Sequence, residues 1–240
     1  MTSSSTDPAN RWHGPEPLPS PIDVPRLGEI YSRTAAFYDG LVAEHQARAK
    51  LAALALLARR PGERFLEVGL GTAWAFARVV AQSGPAAACG VDVSEGMLMV
   101  AKQRLADALK NSLTPLLCPF ALADARALPF RDGAFDCLLN TYTFEVLPTQ
   151  DIAPFLDECR RVLRPGGRLV VVNLTEGEGD DAEMIEDWKR RFSADPEFFG
   201  GARPLQLQPM LEAHGFERVT RRYVGPEWPS EVLLAFRADS

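Results

Sequence analysis

Residues 65–73, with the sequence FLEVGLGTA, constrain the fold of this chain most strongly. The apolar run predicts a buried strand, and Gly69 and Gly71 then let the backbone turn and approach a ligand closely. A helix pattern begins at once, so its free N–H groups would point at whatever lies over the turn. A second predicted strand ends near Asp92, 21 residues beyond Gly71. The two segments predict a nucleotide-type pocket in which Asp92 binds both hydroxyls of a ribose.

Two cofactor classes use such a pocket, NAD and S-adenosylmethionine (SAM), and two side chains distinguish them. The dinucleotide fingerprint is G-x-G-x-x-G, and its third glycine would fall at Trp74. A tryptophan there would obstruct a pyrophosphate, whereas SAM carries no phosphate. Glu67 would face the cationic methionine end of SAM but would repel a diphosphate. The residues therefore favour SAM and disfavour an NAD-dependent oxidoreductase.

Four segments, in the right order, resemble the motifs of class I SAM-dependent methyltransferases. The subgroup that they resemble most is the ubiquinone/menaquinone-biosynthesis-like methyltransferases (methyltransferase domain 11 type), and the resemblance covers roughly residues 30 to 237. The segments are 67–72 (EVGLGT), 90–98 (GVDVSEGML), 124–130 (DARALPF) with Phe135 and Asp136, and 161–169 (RVLRPGGRL), and Phe37, Tyr38 and Asp39 also suit the subgroup.

One position departs from the family motif. Ala73 stands where the family usually has glycine. Because alanine also suits a first helical turn, we expect the substitution to be tolerated with a slightly altered pocket.

The resemblance implies which residues hold SAM, whose product is S-adenosylhomocysteine. The first motif would surround the methionine part, Asp92 would hold the ribose, and Asp124 would accept from the adenine amino group. The plainer alternatives are a strand-end turn residue for Asp92 and a solvated loop carboxylate for Asp124. The full expected cofactor-binding set is Tyr38, Glu67, Gly69, Gly71, Thr72, Asp92, Val93, Met97, Asp124, Ala125 and Asn140.

Catalytic residues are harder to predict, because methyl transfer from a sulfonium needs mainly alignment and exclusion of water. Tyr142 or Glu145, after the fourth strand, could orient or deprotonate an acceptor. The alternative is an aromatic that packs and a glutamate that caps the next element. His45 could reach the site, although a surface position is the commoner role.

The family also forms its acceptor side from N-terminal helices and from the segment after the fifth strand. Tyr31, Phe37 and Tyr38 are candidates for the wall over the methyl group, or for ordinary helix packing. Aromatic residues later in the chain predict either an apolar lid or one wall of the core. They are Trp188, Phe192, Phe198 and Phe199.

Strands alternating with helices predict an α/β fold with a doubly wound, mostly parallel, seven-stranded Rossmann-like sheet and N-terminal helices. The resemblance implies that the last strand inserts antiparallel. The expected organisation is a disordered tail over 1–26 and a single domain over 27–240, with a helical cap at 27–60 and an acceptor-side insertion at 175–205.

Composition limits the partners. A net charge of −6 provides no basic footprint for nucleic acid, and no 18-residue apolar run predicts a membrane span. The first 25 residues do not resemble a signal peptide. Four scattered cysteines indicate a reducing, cytoplasmic compartment and no metal site. They are Cys89, Cys118, Cys137 and Cys159.

These observations favour a methyltransferase that modifies oxygen or carbon on a small, apolar or aromatic acceptor such as a quinone or phenol-like ring. Two alternatives stay open. One is an amine or phospholipid-headgroup N-methyltransferase, and the other is a SAM-binding protein that transfers no methyl group. A homodimer is a further expectation.

Overall fold

The computed structural model describes residues 17–110 and 120–239. Seven helices and seven strands alternate along these residues, with a short 3-10 turn at Phe144–Val146. The helices are α1 (Val24–Thr34), α2 (Tyr38–Leu57), α3 (Trp74–Ser83), α4 (Glu95–Leu109), α5 (Thr149–Val162), α6 (Asp181–Ala194) and α7 (Gln208–Ala213). The strands are β1 (Phe65–Val68), β2 (Ala88–Asp92), β3 (Phe120–Leu122), β4 (Phe135–Thr141), β5 (Leu163–Leu174), β6 (Phe216–Val224) and β7 (Ser230–Arg237).

The strands form one sheet in the order β3-β2-β1-β4-β5-β7-β6. Strands β1 to β5 pair in parallel, and β7 lies antiparallel between β5 and β6. The predicted doubly wound, mostly parallel, seven-stranded sheet is therefore confirmed. The antiparallel insertion of the last strand is confirmed with it.

Strand β1 lies at the centre of this sheet, between β2 and β4. The chain continues outward from β1 to β2 and β3, and then returns to the other side of β1 at β4. A crevice opens outside the carboxyl ends of the strands where the strand order reverses in this way. The topology thus brings the residues after β1, β2 and β4 to one place.

Helices cover both faces of the sheet, as a parallel sheet requires. Adjacent residues of β4 point to opposite faces. Leu138 packs in the core beneath α1, α5 and α7. Leu139 packs in the core beneath α2, α3 and α4. The continuous apolar run in the sequence of this strand follows from burial on both sides.

The ordered part of the N-terminal region extends further back than the predicted tail allows. Helix α1 begins at Val24, and the Asp23 side chain caps it by accepting from the Arg26 N–H at 2.9 Å. Ile22 and Val24 are buried in the core. The tail boundary at residue 26 is therefore wrong, because these apolar side chains pack; residues 1–16 lie outside the described residues.

Two other predictions can be compared only with the described residues. Cys118, one of the four scattered cysteines, lies in 111–119, outside the described residues, and β3 is described from Phe120. No helix within 17–110 and 120–239 is both long and apolar enough to cross a membrane.

Candidate active site

A pocket of about 870 Å³, counted out to its open mouth, lies at the crevice after β1, β2 and β4. Helices α1 and α2 supply its other side. All of the predicted cofactor-binding residues except Asn140 line it: Tyr38, Glu67, Gly69, Gly71, Thr72, Asp92, Val93, Met97, Asp124 and Ala125. The fold therefore gathers residues that are up to 87 positions apart in the chain, from Tyr38 to Ala125.

The two glycines after β1 have different reasons to be glycine. Both have left-handed backbones, with φ of 69° at Gly69 and 54° at Gly71. A Cβ at Gly69 would lie 1.9 Å from Oγ1 of Thr143, so packing excludes a side chain there. A Cβ at Gly71 would meet nothing within 4 Å, so it would project into open space at the pocket. The loop at Gly71 leaves room that a ligand can fill.

Ala73 is the N-cap of α3 and not part of its first turn. Its φ of 59° is left-handed, and its side chain is buried. Glycine adopts this conformation without the steric penalty that Cβ imposes. Our reason for tolerance, a helical backbone, is therefore wrong, although the position does accommodate alanine.

Glu67 brings a buried carboxyl group to the pocket. Its residue is 1% exposed, and Oε2 has no hydrogen-bond partner among the described residues. Burial raises the pKa of Glu67 to about 8, against the charge of Lys50 and a backbone hydrogen bond from Phe76 in the first turn of α3. A buried oxygen without a partner is costly, so this carboxyl group is suited to accept from a cationic ligand donor.

Asp92, at the end of β2, holds the neighbouring backbone. Its Oδ2 accepts from the Gly71 N–H at 2.7 Å, and its Oδ1 accepts from the Ser94 N–H at 2.8 Å. Burial raises the pKa of Asp92, although backbone hydrogen bonds oppose this. Each carboxylate oxygen keeps a further lone pair. Asp92 therefore combines the turn role that we considered as the alternative with the capacity to bind ligand hydroxyls.

The hydroxyl of Thr72 joins the motif loop to the second helix. It donates to Oδ1 of Asp39 at 2.8 Å and accepts from Arg104 at 3.1 Å. Arg104 also forms an ion pair with Asp39. The cluster fixes the start of α2 and the middle of α4 against the loop after β1, and so shapes one edge of the pocket.

Asp124 follows β3 in the chain and lines the pocket, as Glu67 does. Burial alone would raise its pKa, but hydrogen bonds and the charge of Arg126 hold the pKa of Asp124 below its ordinary value. Arg126 also bonds Asp151 in α5 at 2.9 Å. Asp124 is thus a charged acceptor in a fixed position. Met97 also lines the pocket, and its backbone N–H donates to the Ser94 hydroxyl at 3.1 Å.

Asn140 lies in β4 and does not line the pocket. Its Nδ2 donates to the Val68 carbonyl at 2.7 Å, which joins the ends of β4 and β1. Its Oδ1 is buried without a partner among the described residues. The side chain therefore braces the strands beneath the loop.

Two of the three aromatic residues expected in the acceptor wall line the pocket. Tyr31 and Tyr38 pack edge to face, with ring centroids 5.9 Å apart. The Tyr31 hydroxyl donates to the Gly200 carbonyl at 3.1 Å. Burial raises the pKa of both phenols. Phe37 is exposed instead and is not part of the wall.

Tyr142 also lines the pocket, directly after β4. Its backbone is left-handed, with φ of 58°, and its hydroxyl shares a 2.8 Å hydrogen bond with Ser230 of β7. Burial raises the pKa of this phenol well above its ordinary value. The side chain is therefore placed to orient a neighbour and poorly suited to remove a proton.

Glu145 is buried and does not line the pocket. Its Oε2 accepts from the Leu174 N–H at 2.6 Å, and its carbonyl accepts from Arg203 at 2.7 Å. Burial raises the pKa of Glu145 to about 8, against this hydrogen bond and two nearby cations. Glu145 therefore secures backbone at the end of β5, a role that differs from the expected cap of the next element.

The structure does not bring His45 to the pocket. Its Nδ1 lies 3.6 Å from a carboxylate oxygen of Glu227, and its ring stacks on Trp228 with centroids 6.1 Å apart. The imidazole is half exposed. We therefore withdraw His45 as a catalytic candidate, because it packs against the segment between β6 and β7 and is not part of the pocket lining.

The later aromatic residues pack on one another and do not cover the pocket. Trp188 and Phe199 have ring centroids 4.7 Å apart, and the Trp188 Nε1–H donates to the Ala202 carbonyl at 2.9 Å. None of the four predicted lid residues belongs to the pocket lining. Their arrangement favours a core wall beside α6, with Phe198 exposed at its edge.

Comparison with known proteins agrees with this geometry. Residues 66–171 match the sequence model of a family described as "Methyltransferase domain". The ubiquinone/menaquinone biosynthesis C-methyltransferase UbiE of Paraburkholderia xenovorans is 34% identical over 158 residues, which cover 63% of this chain and 61% of that protein. The demethylmenaquinone methyltransferase of Tropheryma whipplei is 36% identical over 146 residues, which cover 61% and 55%.

The comparisons therefore show that residues 66–171 resemble a methyltransferase domain. The resemblance stated from the sequence motifs is confirmed. The chain spans only 61% and 55% of the length of these two curated relatives.

A solved structure extends the comparison of the fold. The [4+2]-cyclase SpnF superposes with a TM-score of 0.71, over 94% of this chain and all of that one, at 19% identity. At this identity the likeness concerns the fold alone. The methyltransferase-type architecture therefore continues beyond the matched residues 66–171.

One charged residue of the pocket was not among the residues predicted from the sequence. Lys50 is 9% exposed and lines the pocket, with Nζ 5.7 Å from the Trp74 ring centroid and 5.5 Å from that of Tyr142. Burial lowers the pKa of Lys50 to about 8, although the charge of Glu67 opposes the shift. Helical spacing could have found it, because Lys50 shares the buried face of α2 with Gln46, Ala49, Ala53 and Leu57.

An apolar wall of the domain was also missed. Its members come from α1 and from the segment after β4, and none carries a charge. They are Val24, Leu27, Val146 and Leu147. Together with Tyr31 they form an acceptor side that is suited to an apolar ring.

Proposed function

We propose that the protein transfers a methyl group from SAM to oxygen or carbon of a small, apolar or aromatic acceptor. The observation that carries the proposal is the open space at Gly71, in a pocket that Glu67 and Asp92 also line. The backbone there is shaped to approach a ligand, and the two carboxyl groups suit an amine and hydroxyls. The methyltransferase family of residues 66–171 supports the same cofactor.

The proposed cofactor fits the residues present. The partnerless oxygen of Glu67 would accept from the ligand's ammonium group. Asp92 has lone pairs left for ribose hydroxyls, and Asp124 is a fixed, charged acceptor for the adenine amino group. SAM would supply a methyl group on a sulfonium, which is already activated for displacement.

The chain's own contribution would be alignment and exclusion of water. The rings of Tyr31, Tyr38 and Tyr142 stand at the acceptor side and fix the direction of approach. The apolar wall of α1 and the segment after β4 would desolvate the acceptor. No described residue of the pocket is a histidine. We therefore propose that the acceptor reacts in its own ionised form, without a general base from the chain.

The acceptor class follows from the lining and from the relatives. One relative is named a ubiquinone/menaquinone biosynthesis C-methyltransferase. The other is named a demethylmenaquinone methyltransferase. An apolar wall beside tyrosines suits a hydroquinone or phenol ring. The apolar wall offers no counter-charge to a cationic headgroup, which disfavours the N-methylation alternative.

Calorimetric titration with SAM and with S-adenosylhomocysteine tests the cofactor assignment. We expect micromolar binding by the wild type and a loss of at least about tenfold in Gly71→Ala, because the new methyl group would occupy ligand space. Gly179→Ala is the matched control, since Gly179 also has a left-handed backbone (φ 59°) with nothing within 4 Å of its Cβ, but lies outside the pocket. Absence of binding by the wild type would overturn the proposal.

Mass spectrometry of products then tests transfer. We expect a gain of one methyl group on hydroquinones or phenols and none on ethanolamine-type amines. Firm SAM binding without transfer to any member of a broad panel would instead support the SAM-binding protein that transfers no methyl group. The expected homodimer, the cytoplasmic location and the lack of nucleic-acid binding stay predictions; sedimentation velocity would check the first.

A further inference from the structure

One basic and one acidic side chain line the pocket without contacting each other. Lys50 and Glu67 both lie in the lining, and no ion pair within 4.0 Å joins them among the described residues. We propose that they form a clamp for the amino-acid end of SAM, in which Lys50 binds the α-carboxylate while Glu67 binds the α-ammonium. The inference rests on the proposed function and assigns a cofactor-positioning residue that the sequence motifs do not contain.

The surroundings of Lys50 hold its ammonium group without neutralising it. Its Nζ lies near two rings, those of Trp74 and Tyr142, and forms no ion pair within 4.0 Å among residues 17–110 and 120–239. The carboxyl groups of Glu67, Asp39 and Glu145 act on its charge from a greater distance. Ring faces attract a cation but accept no strong hydrogen bond from it. A buried ammonium without a hydrogen-bonded counter-ion is costly, so the site favours an anionic ligand group.

Glu67 has the complementary requirement. Its Oε2 is buried and has no partner among the described residues. A ligand that carried only a carboxylate would satisfy Lys50 and leave this oxygen unpaired. A zwitterion, with an ammonium and a carboxylate on one carbon, would satisfy both side chains at once and would add no net charge to the pocket.

Position also links Lys50 to the motif loop, although its other neighbouring ring, Tyr142, follows β4. Trp74 begins α3, directly after the glycine loop, so contact with Trp74 places Lys50 on the loop side of the pocket. The apolar wall, by contrast, comes from α1 and the segment after β4. Lys50 is therefore on the side where the amino-acid end of the cofactor would meet the motif loop.

The test compares two ligands that differ in that end. S-adenosylhomocysteine has the ammonium and carboxylate groups, whereas 5′-methylthioadenosine keeps the adenosine and sulfur but lacks both. In Lys50→Met we expect calorimetric affinity for S-adenosylhomocysteine to fall about 10- to 100-fold, the usual range for a hydrogen bond to a charged group. Affinity for 5′-methylthioadenosine should stay within about twofold. Lys50→Gln should behave in the same way.

Lys102→Met is the matched control, because Lys102 is exposed on α4 and lies outside the pocket. Equal weakening of both ligands in the Lys50 variants would overturn the clamp and indicate a distorted pocket. Unchanged affinity for S-adenosylhomocysteine with loss of turnover alone would overturn it in favour of a role at the acceptor. Failure of the proposed function is distinguishable, since the wild type would then bind neither ligand.

Discussion

The backbone N–H of Gly71 donates to Oδ2 of Asp92 over 2.7 Å. The other oxygen of the same carboxylate accepts from Ser94, the N-cap of α4, at 2.8 Å. One side chain therefore fastens the glycine loop after β1 to the helix that follows β2. Since Asp92 also lines the pocket, loop order and ligand binding depend on the same carboxylate.

Asp92→Asn should weaken both the order of the glycine loop and the binding of ligand. The asparagine side chain has one acceptor oxygen and one amide nitrogen, so either Gly71 or Ser94 would face a donor. We expect the free energy of unfolding to fall by about 1.5–3 kcal/mol, the value of a hydrogen bond to a charged group. Affinity for S-adenosylhomocysteine should fall at least about tenfold, because a ribose hydroxyl would lose an acceptor.

Urea denaturation and calorimetry measure these two effects. Asp107→Asn is a suitable control, since Asp107 is exposed on α4 and bonds only the Gln103 side chain among the described residues. A stability within about 0.5 kcal/mol of wild type in Asp92→Asn would contradict the fastening role, because surface substitutions stay within that range.

The two glycines of the loop should respond differently to alanine. Gly71→Ala introduces a left-handed alanine in open space, which costs about 1–2 kcal/mol. Gly69→Ala adds a methyl group 1.9 Å from Thr143 Oγ1. Overpacking of this kind costs about 1–3 kcal/mol more. Gly69→Ala should therefore be the less stable variant.

Chemical denaturation of the two variants side by side checks this order. The order of their ligand affinities should differ from the order of their stabilities, because Gly71→Ala fills ligand space while it disturbs the fold less. Equal stability of the two would mean that Thr143 moves aside freely, and the packing argument for Gly69 would then fail.

The sequence predicted those parts of the site that depend on short segments. The strand, glycine loop and helix after residue 65 form one local unit, and Ser94 caps α4 as its side chain and position suggest. The pocket edge follows from these units because parallel strands align their carboxyl ends. Most of the expected cofactor-binding residues therefore lie in the lining.

Residues whose roles depend on distant contacts were not predictable in this way. Glu145 is held by Leu174 and Arg203, which are 29 and 58 positions away. Ala73 took a left-handed backbone that no propensity favours. Lys50 belongs to no motif, and only its helical spacing from Gln46 and Ala53 indicates that it lies on the buried face of α2.

Glu67 should make stability depend on pH. Burial raises its pKa in the folded protein to about 8, from an ordinary value of 4.5. Between these values the folded state holds a proton that the unfolded state has released. Stability therefore falls as pH rises from about 4.5 to 8. The contribution of one such group is at most about 1.4 kcal/mol per pH unit.

Glu67→Gln should flatten this dependence. Glutamine cannot ionise, and its carbonyl oxygen can still accept from Phe76. Urea denaturation at pH 5, 6, 7 and 8 measures the difference in slope between wild type and variant. Glu145, whose pKa is also raised to about 8, is present in both proteins and cancels from the difference. Parallel curves, as expected for the exposed control Glu183→Gln, would show that Glu67 is ionised in the folded state.

Arg203 joins three segments that no sequence motif connects. The residue is fully buried, and its guanidinium donates to the carbonyls of Leu18 and Glu145 and to the Thr149 hydroxyl. Burial lowers the pKa of Arg203 to about 10, although the charge of Glu145 opposes this. The arginine thus secures the chain before α1 against the segment that supplies part of the apolar wall.

Arg203→Met should lower the free energy of unfolding by about 3 kcal/mol, because methionine fills much of the volume but leaves the buried acceptors unpaired. Limited trypsinolysis should also cleave sooner at Arg26, since the loss of the bond to Leu18 loosens the entry to α1. Arg131→Met is the control, because Arg131 is exposed. A variant that loses stability without faster cleavage at Arg26 would show that the bond to Glu145, and not the one to Leu18, carries the effect.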